Sequence, residues 1–206
     1  MDSKELEIIQ KATEIFMQYG IKSVNMDDIA RHLGISKKTL YKYVSDKKEL
    51  VQKGMNMHCC AEDEFISSIE KQGLNAIDEN FEIMKFLSSM LKTLHPSIMF
   101  DMEKYHPEIW KEMKESRKEM TYGVVKRNLE KGKHEGLYRE DLDPTLIATL
   151  YINSIDAIFN FKNNPQIELS ILDQYLEVFR YHIRGIASSK GVEYLIKKVN
   201  EQKNNN

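Results

Sequence analysis

Between Arg31 and Lys48 the chain carries six basic side chains, Arg31, Lys37, Lys38, Lys42, Lys47 and Lys48, against a single acid, Asp46. The chain as a whole has a formal net charge of -2 at pH 7, so this positive charge is local. Thr39, Tyr41 and Tyr43 are interleaved with the lysines. A cluster of cations neutralises phosphates and releases their counterions, and hydroxyls among them can hydrogen-bond phosphate oxygens. That is chemistry suited to double-stranded DNA. A solvated lysine face is the plainer reading of the charge alone. The residues around the lysines argue against it.

Groups that read DNA must be held on a rigid frame, and the flanking sequence spells one. Met26, Ile29, Ala30 and Leu33 recur at helical spacing. Asn25 can cap that helix, and Asp27 and Asp28 stand in its first turn, where the helix dipole favours negative charge. Gly34 stops it. Ile35 can pack inward, and Ser36 can cap a second helix running from Lys37 to about Tyr43. Helix, glycine turn and short capped helix is the layout of a helix-turn-helix over about residues 25–44, whose second helix enters the major groove. A further helix starts after Ser45 or Asp46, where Asp46 and Glu49 have capping-box spacing. Its N-terminal amides and Lys47 can meet a phosphate.

Over about residues 3–55 the chain resembles the N-terminal domain of the TetR family of bacterial transcriptional regulators. The resemblance is carried by Asp27-Asp28-Ile29-Ala30, by Leu33-Gly34-Ile35-Ser36, by Thr39-Leu40-Tyr41, and by Ser45-Asp46-Lys47-Lys48-Glu49-Leu50. Asn25 stands where the family usually has threonine, and Val44 where it has phenylalanine. Asparagine also caps, and valine is still apolar. The resemblance implies an all-α protein with a DNA-binding domain at 1–48 and a helical effector-binding and dimerisation domain at 49–206. It marks Thr39 and Tyr41 for DNA backbone contact. Ser36, Lys37, Lys38 and Lys42 complete the recognition element, with Lys37 and Lys38 able to reach base edges or phosphates. Asn25, Tyr43 and Lys47 are the further phosphate partners, and Leu40 is core.

The rest of the chain fits that plan. It has 206 residues, 30% charged and 41% hydrophobic, an ordinary globular composition. No apolar run approaches a membrane span, and the N-terminus is unlike a signal peptide. Adjacent Cys59 and Cys60 cannot build a disulfide scaffold, so a cytoplasmic location and no membrane partner are expected. No segment alternates with period two. Helices are expected over about 4–19, 46–71, 75–94, 107–132, 145–161, 170–186 and 192–199, with a short apolar segment between Pro96 and Pro107. In TetR-like proteins a short helix at that place helps form the floor of the effector pocket.

The helix from Thr145 to Phe161 is apolar nearly all round, and the next has a broad apolar face. Such helices need cover on several sides. A two-fold four-helix bundle between two copies supplies it, through Tyr151, Ile155, Ile158, Phe159, Tyr175, Phe179 and Ile183, with a closed monomer core as the alternative. Methionines and aromatic residues suit an adaptable cavity for a small, largely apolar effector: Phe81, Met84, Phe100, Trp110, Met113 and Met120, with His58 and Glu62 as polar groups on an otherwise apolar stripe. His58-Cys59-Cys60 is too compact to converge on one zinc ion, so no metal and no cofactor is expected. No glycine loop, HExxH or serine elbow points to an enzyme. The expectation is a homodimeric regulator, a ligand-released repressor on a palindromic operator. An interaction module binding an acidic protein, or an effector-independent DNA-binding accessory factor, would use the same basic helix pair.

Overall fold

The computed structural model describes residues 2–159 and 169–204, the last four by backbone alone. The regular elements are helices: α1 (Ser3–Tyr19), α2 (Met26–His32), α3 (Lys37–Leu40), α4 (Lys47–Glu70), α5 (Ala76–Thr93), α6 (Ile98–Tyr105), α7 (Pro107–His134), α8 (Pro144–Phe159), α9 (Ile171–Ile186) and α10 (Ser189–Asn204). An isolated antiparallel bridge joins Tyr138 to Ala187. The all-α expectation is met. Phe161, the expected end of the helix from Thr145, lies outside the described residues.

The chain divides into two compact units, Met1–Phe65 with Thr93–Arg117, and Ile66–Lys92 with Lys118–Asn206. In the first, Ile9 and Phe16 of α1, Ile29 of α2, Leu40 of α3, and Leu50 and Met55 of α4 are fully buried together. Met102 of α6 and Ile109 of α7 enter the same core. This is why packing does not divide the chain at residue 48: the core that carries the basic helix pair also needs α6 and the first turns of α7. Asp101 is buried beneath them, its Oδ2 accepting from the Lys22 backbone N–H at 2.9 Å and from Ser97 Oγ at 3.2 Å. Tyr19 at the end of α1 is exposed, with its ring 5.9 Å from that of His32.

The second unit is built around Ile77, Phe81, Leu129, Tyr138, Phe179, Ile183 and Ile186. Within it Asn128 is buried with all its bonding capacity used. Its Nδ2 donates to the Ala76 carbonyl at 2.9 Å and to Glu79 Oε2 at 3.0 Å, and its Oδ1 accepts from Asn80 and from Tyr138 Oη. Lys131 neutralises Glu79 across 2.6 Å. A satisfied network of this kind fixes one packing arrangement, because any other would leave a buried polar group unpaired. α10 runs longer than its apolar stripe suggested, and Tyr194 Oη ties it to α5 by donating to Asp78 Oδ2 at 2.6 Å.

The α8–α9 pair differs from its sequence reading in one respect. Ile158, Tyr175, Phe179 and Ile183 are buried inside their own chain, and Phe179 meets Phe81 edge-on at 5.6 Å. Tyr151, Ile155 and Phe159 are half-buried. The apolar groups left open are Leu146 and Leu150 on α8 and Tyr181 on α9. Periodicity identifies an apolar face without saying whether the chain's own helices or a partner cover it.

Gly132 lies so close to the Tyr138 ring that an added Cβ would sit 2.0 Å from Cδ2, whereas Gly123 has nothing within 4 Å. Tyr138 cannot yield without breaking its bond to Asn128. Gly132→Ala is therefore expected to lower stability by at least about 2 kcal/mol. Gly123→Ala should raise it by up to about 1 kcal/mol through helix propensity. Urea-unfolding midpoints of the two variants check both.

Candidate nucleic-acid interface and effector site

The helix-turn-helix is built by its caps. Asn25 Oδ1 accepts from the backbone N–H groups of Asp27 at 2.9 Å and Asp28 at 3.0 Å, and Asp28 Oδ2 accepts from the Asn25 N–H at 3.0 Å. This reciprocal box starts α2. Gly34, with φ +65°, turns the chain through the left-handed region, and the Ile35 N–H returns to the Ala30 carbonyl at 3.0 Å. Ser36 Oγ accepts from the Thr39 N–H at 3.0 Å and shares a hydrogen bond with Thr39 Oγ1 at 2.8 Å. α3 ends at Leu40, earlier than the expected Tyr43. Tyr41–Tyr43 form a tighter turn, with Lys42 N–H to Thr39 O and Tyr43 N–H to Leu40 O.

The basic residues separate into distinct environments. Lys37 Nζ pairs with Asp27 across 2.9 Å, and Lys48 with Glu108 across 2.7 Å. Asp27 and Glu108 hold both ammonium groups above the usual lysine range. These are solvent-exposed pairs, weak enough to be exchanged for phosphate. Lys47 points inward. Its Nζ donates to the Ile21 carbonyl at 2.5 Å and lies 5.9 Å from the Phe16 ring centroid, and desolvation lowers its pKa. Lys38 and Lys42 are exposed and make no ion pair among the described residues. Tyr41 is 43% exposed beside them. Thr39 and Tyr43 are half-buried, and Tyr43 packs on the core of the first unit.

The start of α4 is locked to this element. Asp46 Oδ1 accepts from the Glu49 N–H at 2.8 Å, while Glu49 Oε2 accepts from the Ser45 N–H at 2.6 Å and Ser45 Oγ at 2.7 Å. Lys53 bridges Glu49 to Glu5 of α1 and donates to the Tyr43 carbonyl at 3.0 Å.

Of the effector candidates, His58 and Glu62 are brought together. Glu62 is 3% exposed; its Oε2 is ion-paired with Arg117 of α7, and its Oε1 lies 3.4 Å from His58 Nε2. Burial, and then the Arg117 charge, push the His58 pKa down, so the imidazole is neutral at pH 7. Trp110 and Met113 of α7 are partly buried against the core of the same unit. Phe100 is 51% exposed, with Lys104 Nζ 5.2 Å from its ring centroid, and so belongs to the surface. Phe81, Met84 and Met120 belong to the second unit, Phe81 in its core and Met84 against it. That unit has a groove of about 330 Å³ lined by Lys118, Glu119, Tyr122, Thr149, Ile152 and Asn153. Among the described residues no group of three or more His, Cys, Asp or Glu could hold a metal ion, and no helix is long and apolar enough to cross a membrane.

Residues 8–53 match the family model for bacterial regulatory proteins of the tetR family. The chain is 27% identical over 154 residues to YvaF of Bacillus subtilis, an uncharacterised HTH-type transcriptional regulator, covering 74% of this chain and 80% of that one. A second such regulator of the same organism, YhgD, is 25% identical over 206 residues, 92% of this chain and 99% of the other. A solved transcriptional regulator from Cytophaga hutchinsonii has the same fold, with a TM-score of 0.73 at 19% identity, over 91% of this chain and all of that one. Residues 8–53 thus form a tetR-type N-terminal domain.

The family match covers α2, α3 and the start of α4, so the matched helix-turn-helix is the capped pair described above. Sequence reasoning missed Arg117. It is 55 positions from Glu62, and no local pattern links them. It also missed Asp27 and Glu108, the acids that hold two of the basic groups.

Glu49 gives a pH test of the α3–α4 junction. The Ser45 N–H, then Lys53 and the Ser45 hydroxyl, lower its pKa to about 2 in the folded chain. The unfolded value is higher, so the contribution is complete above about pH 4.5 and is lost as pH falls through about 2. Glu49→Gln should lower the melting temperature at pH 7, and the gap to the natural chain should close between about pH 4.5 and pH 2. A constant gap across that window, seen by circular dichroism, would contradict this assignment.

Proposed function

We propose that this regulator is a ligand-released repressor, binding a roughly palindromic operator as a homodimer in the cytoplasm. The observation that carries the reading is the exposed trio Lys38, Tyr41 and Lys42, on an element whose two ends are capped and whose Leu40 is fully buried. Residues 1–48 serve as the DNA-binding domain, and residues 49–206 supply effector binding and dimerisation. Lys38 and Lys42 neutralise phosphates or reach base edges, joined by Lys37 once it leaves Asp27. Thr39, Tyr41 and Tyr43 contact the backbone, with Ser36 and Asn25 placing the amides around them. Lys47 acts through the start of α4.

Homodimerisation is supported by the apolar Leu146, Leu150 and Tyr181 left exposed on α8 and α9, with Tyr151, Ile155 and Phe159 half-buried among them. Two such chains present their recognition elements about 34 Å apart, the spacing of successive major grooves. Release follows from α4. It carries Lys47 in its first turn and Glu62 fifteen residues later, about 22 Å along one helix. An effector that binds the DNA-incompetent state more tightly near Glu62 shifts α4 and, with it, the recognition element.

Electrophoretic mobility shift with the chain's own promoter against random duplex tests the first claim; equal affinity for both would end the repressor reading. If Lys38 and Lys42 each meet a phosphate, a dimer neutralises about four, and affinity should fall roughly a hundredfold between 50 and 200 mM salt. Lys38→Ala with Lys42→Ala removes all four of these contacts and should remove most of that slope, either change alone about half of it, while leaving the helical circular dichroism unchanged. Sedimentation at micromolar concentration is expected to give twice the 24.2 kDa of the chain.

A further inference from the structure

The ion cluster on α4 and α7 is asymmetric. Glu62 is 3% exposed, whereas the Arg117 side chain is 38% exposed along its length, with Nη2 buried against the carboxylate. The carboxylate cannot reach solvent without dismantling the packing of α4, while the guanidinium, at the end of a long flexible stem, can leave by rotating outward. Glu62 Oε1 accepts no hydrogen bond among the described residues, and at 3.4 Å the neutral His58 is too far to donate a good one. One helical turn and two turns back from Arg117 on α7 stand Met113 and Trp110, both partly buried. The arrangement is a fixed buried anion, a removable cation, and soft apolar side chains on the helix that carries the cation.

We propose that the effector of this regulator is an amphipathic organic cation whose ammonium replaces the Arg117 guanidinium at Glu62. The proposal rests on the effector-responsive reading above and names the ligand class of that site. Opposite charge chooses the class. A ligand anion would have to take Arg117 and leave Glu62 charged, buried and unpaired, which is a severe penalty. A ligand cation keeps Glu62 paired and sends Arg117 to water, where an arginine is well solvated. Met113 and Trp110 accept the ligand's apolar or aromatic part; the indole face already carries Lys114 Nζ, 5.5 Å from its centroid. Glu62 and Arg117 pair α4 with α7 beyond the Lys48–Glu108 pair and the shared apolar core, so exchange of the guanidinium for a ligand loosens α4 from α7 at this point.

Isothermal titration calorimetry of the full chain without DNA, against benzyltrimethylammonium, phenylacetate and phenethyl alcohol, tests the class. The ammonium should bind, and the acid and alcohol should bind at least about tenfold more weakly. Glu62→Gln keeps the shape and should cost the ammonium at least about tenfold. Arg117→Ala removes the competitor. It should melt lower than the natural chain when free, and gain more in melting temperature from the same ammonium concentration. No ammonium binding, preference for phenylacetate, or equal ammonium response of the natural chain and Arg117→Ala would each overturn the proposal. Should Arg117→Ala not fold, the Glu62→Gln titration still decides. DNA release is read separately by fluorescence anisotropy of a promoter duplex. Calorimetric binding without release upholds the cation site and overturns its role as effector. Absence of promoter binding before any ligand is added overturns the repressor reading alone.

Discussion

A helix of four residues has no stability of its own, because nucleation fixes several dihedrals before the hydrogen bonds accumulate. α3 nevertheless exists, and everything that addresses DNA depends on it. Two things hold it. Ser36 closes its first turn, and Leu40 is buried without residual exposure among side chains of α1, α2, α4, α6 and α7. The burial of Leu40 converts a stretch of lysines that would otherwise be solvated coil into an oriented surface. The core beneath it is therefore part of the DNA-reading apparatus, and it extends well past the helix-turn-helix itself.

Charge in this unit is arranged in layers rather than as a uniform basic patch. Lys38 and Lys42 are open. Lys37 and Lys48 are held by Asp27 and Glu108 on the surface. Lys47 is turned inward to the Ile21 carbonyl. Pairing at the surface costs little to break, so Lys37 and Lys48 act as reserves whose engagement depends on what approaches. Lys47 instead fixes the first turn of α4 to the loop after α1. Glu49, with Ser45 and Lys53, does the same from the other side. The junction between recognition element and long helix is thus rigid, which is the property needed to pass a movement of α4 to the lysines.

Buried polar groups divide by purpose. The network of Glu79, Asn128, Lys131 and Tyr138 is complete, and its exchange for another arrangement would strand a charge or an amide. The cluster of Glu62, His58 and Arg117 is incomplete: one carboxylate oxygen lacks a donor, and Arg117 Nη2 is buried with no hydrogen bond beyond that ion pair. Complete networks specify a fold. An incomplete one beside a flexible cation is a place where a ligand has something to gain.

The sequence by itself determined the helix-turn-helix, because caps, glycine turn and apolar spacing are local properties: Asn25, Gly34 and Ser36 act within four residues of their partners. It also determined the all-helical class and the polar oddity of His58 and Glu62 on α4. Tertiary structure alone decided the partners across long separations. Glu62 meets Arg117, Lys48 meets Glu108, and Phe179 turns into its own chain's core against Phe81. It decided, too, that Phe100 is surface and that Lys47 faces inward. The physical reason is the same in each case. Periodicity fixes which residues share a helix face, but what that face meets depends on how distant segments pack, and contacts between residues far apart in the chain leave no trace in local spacing.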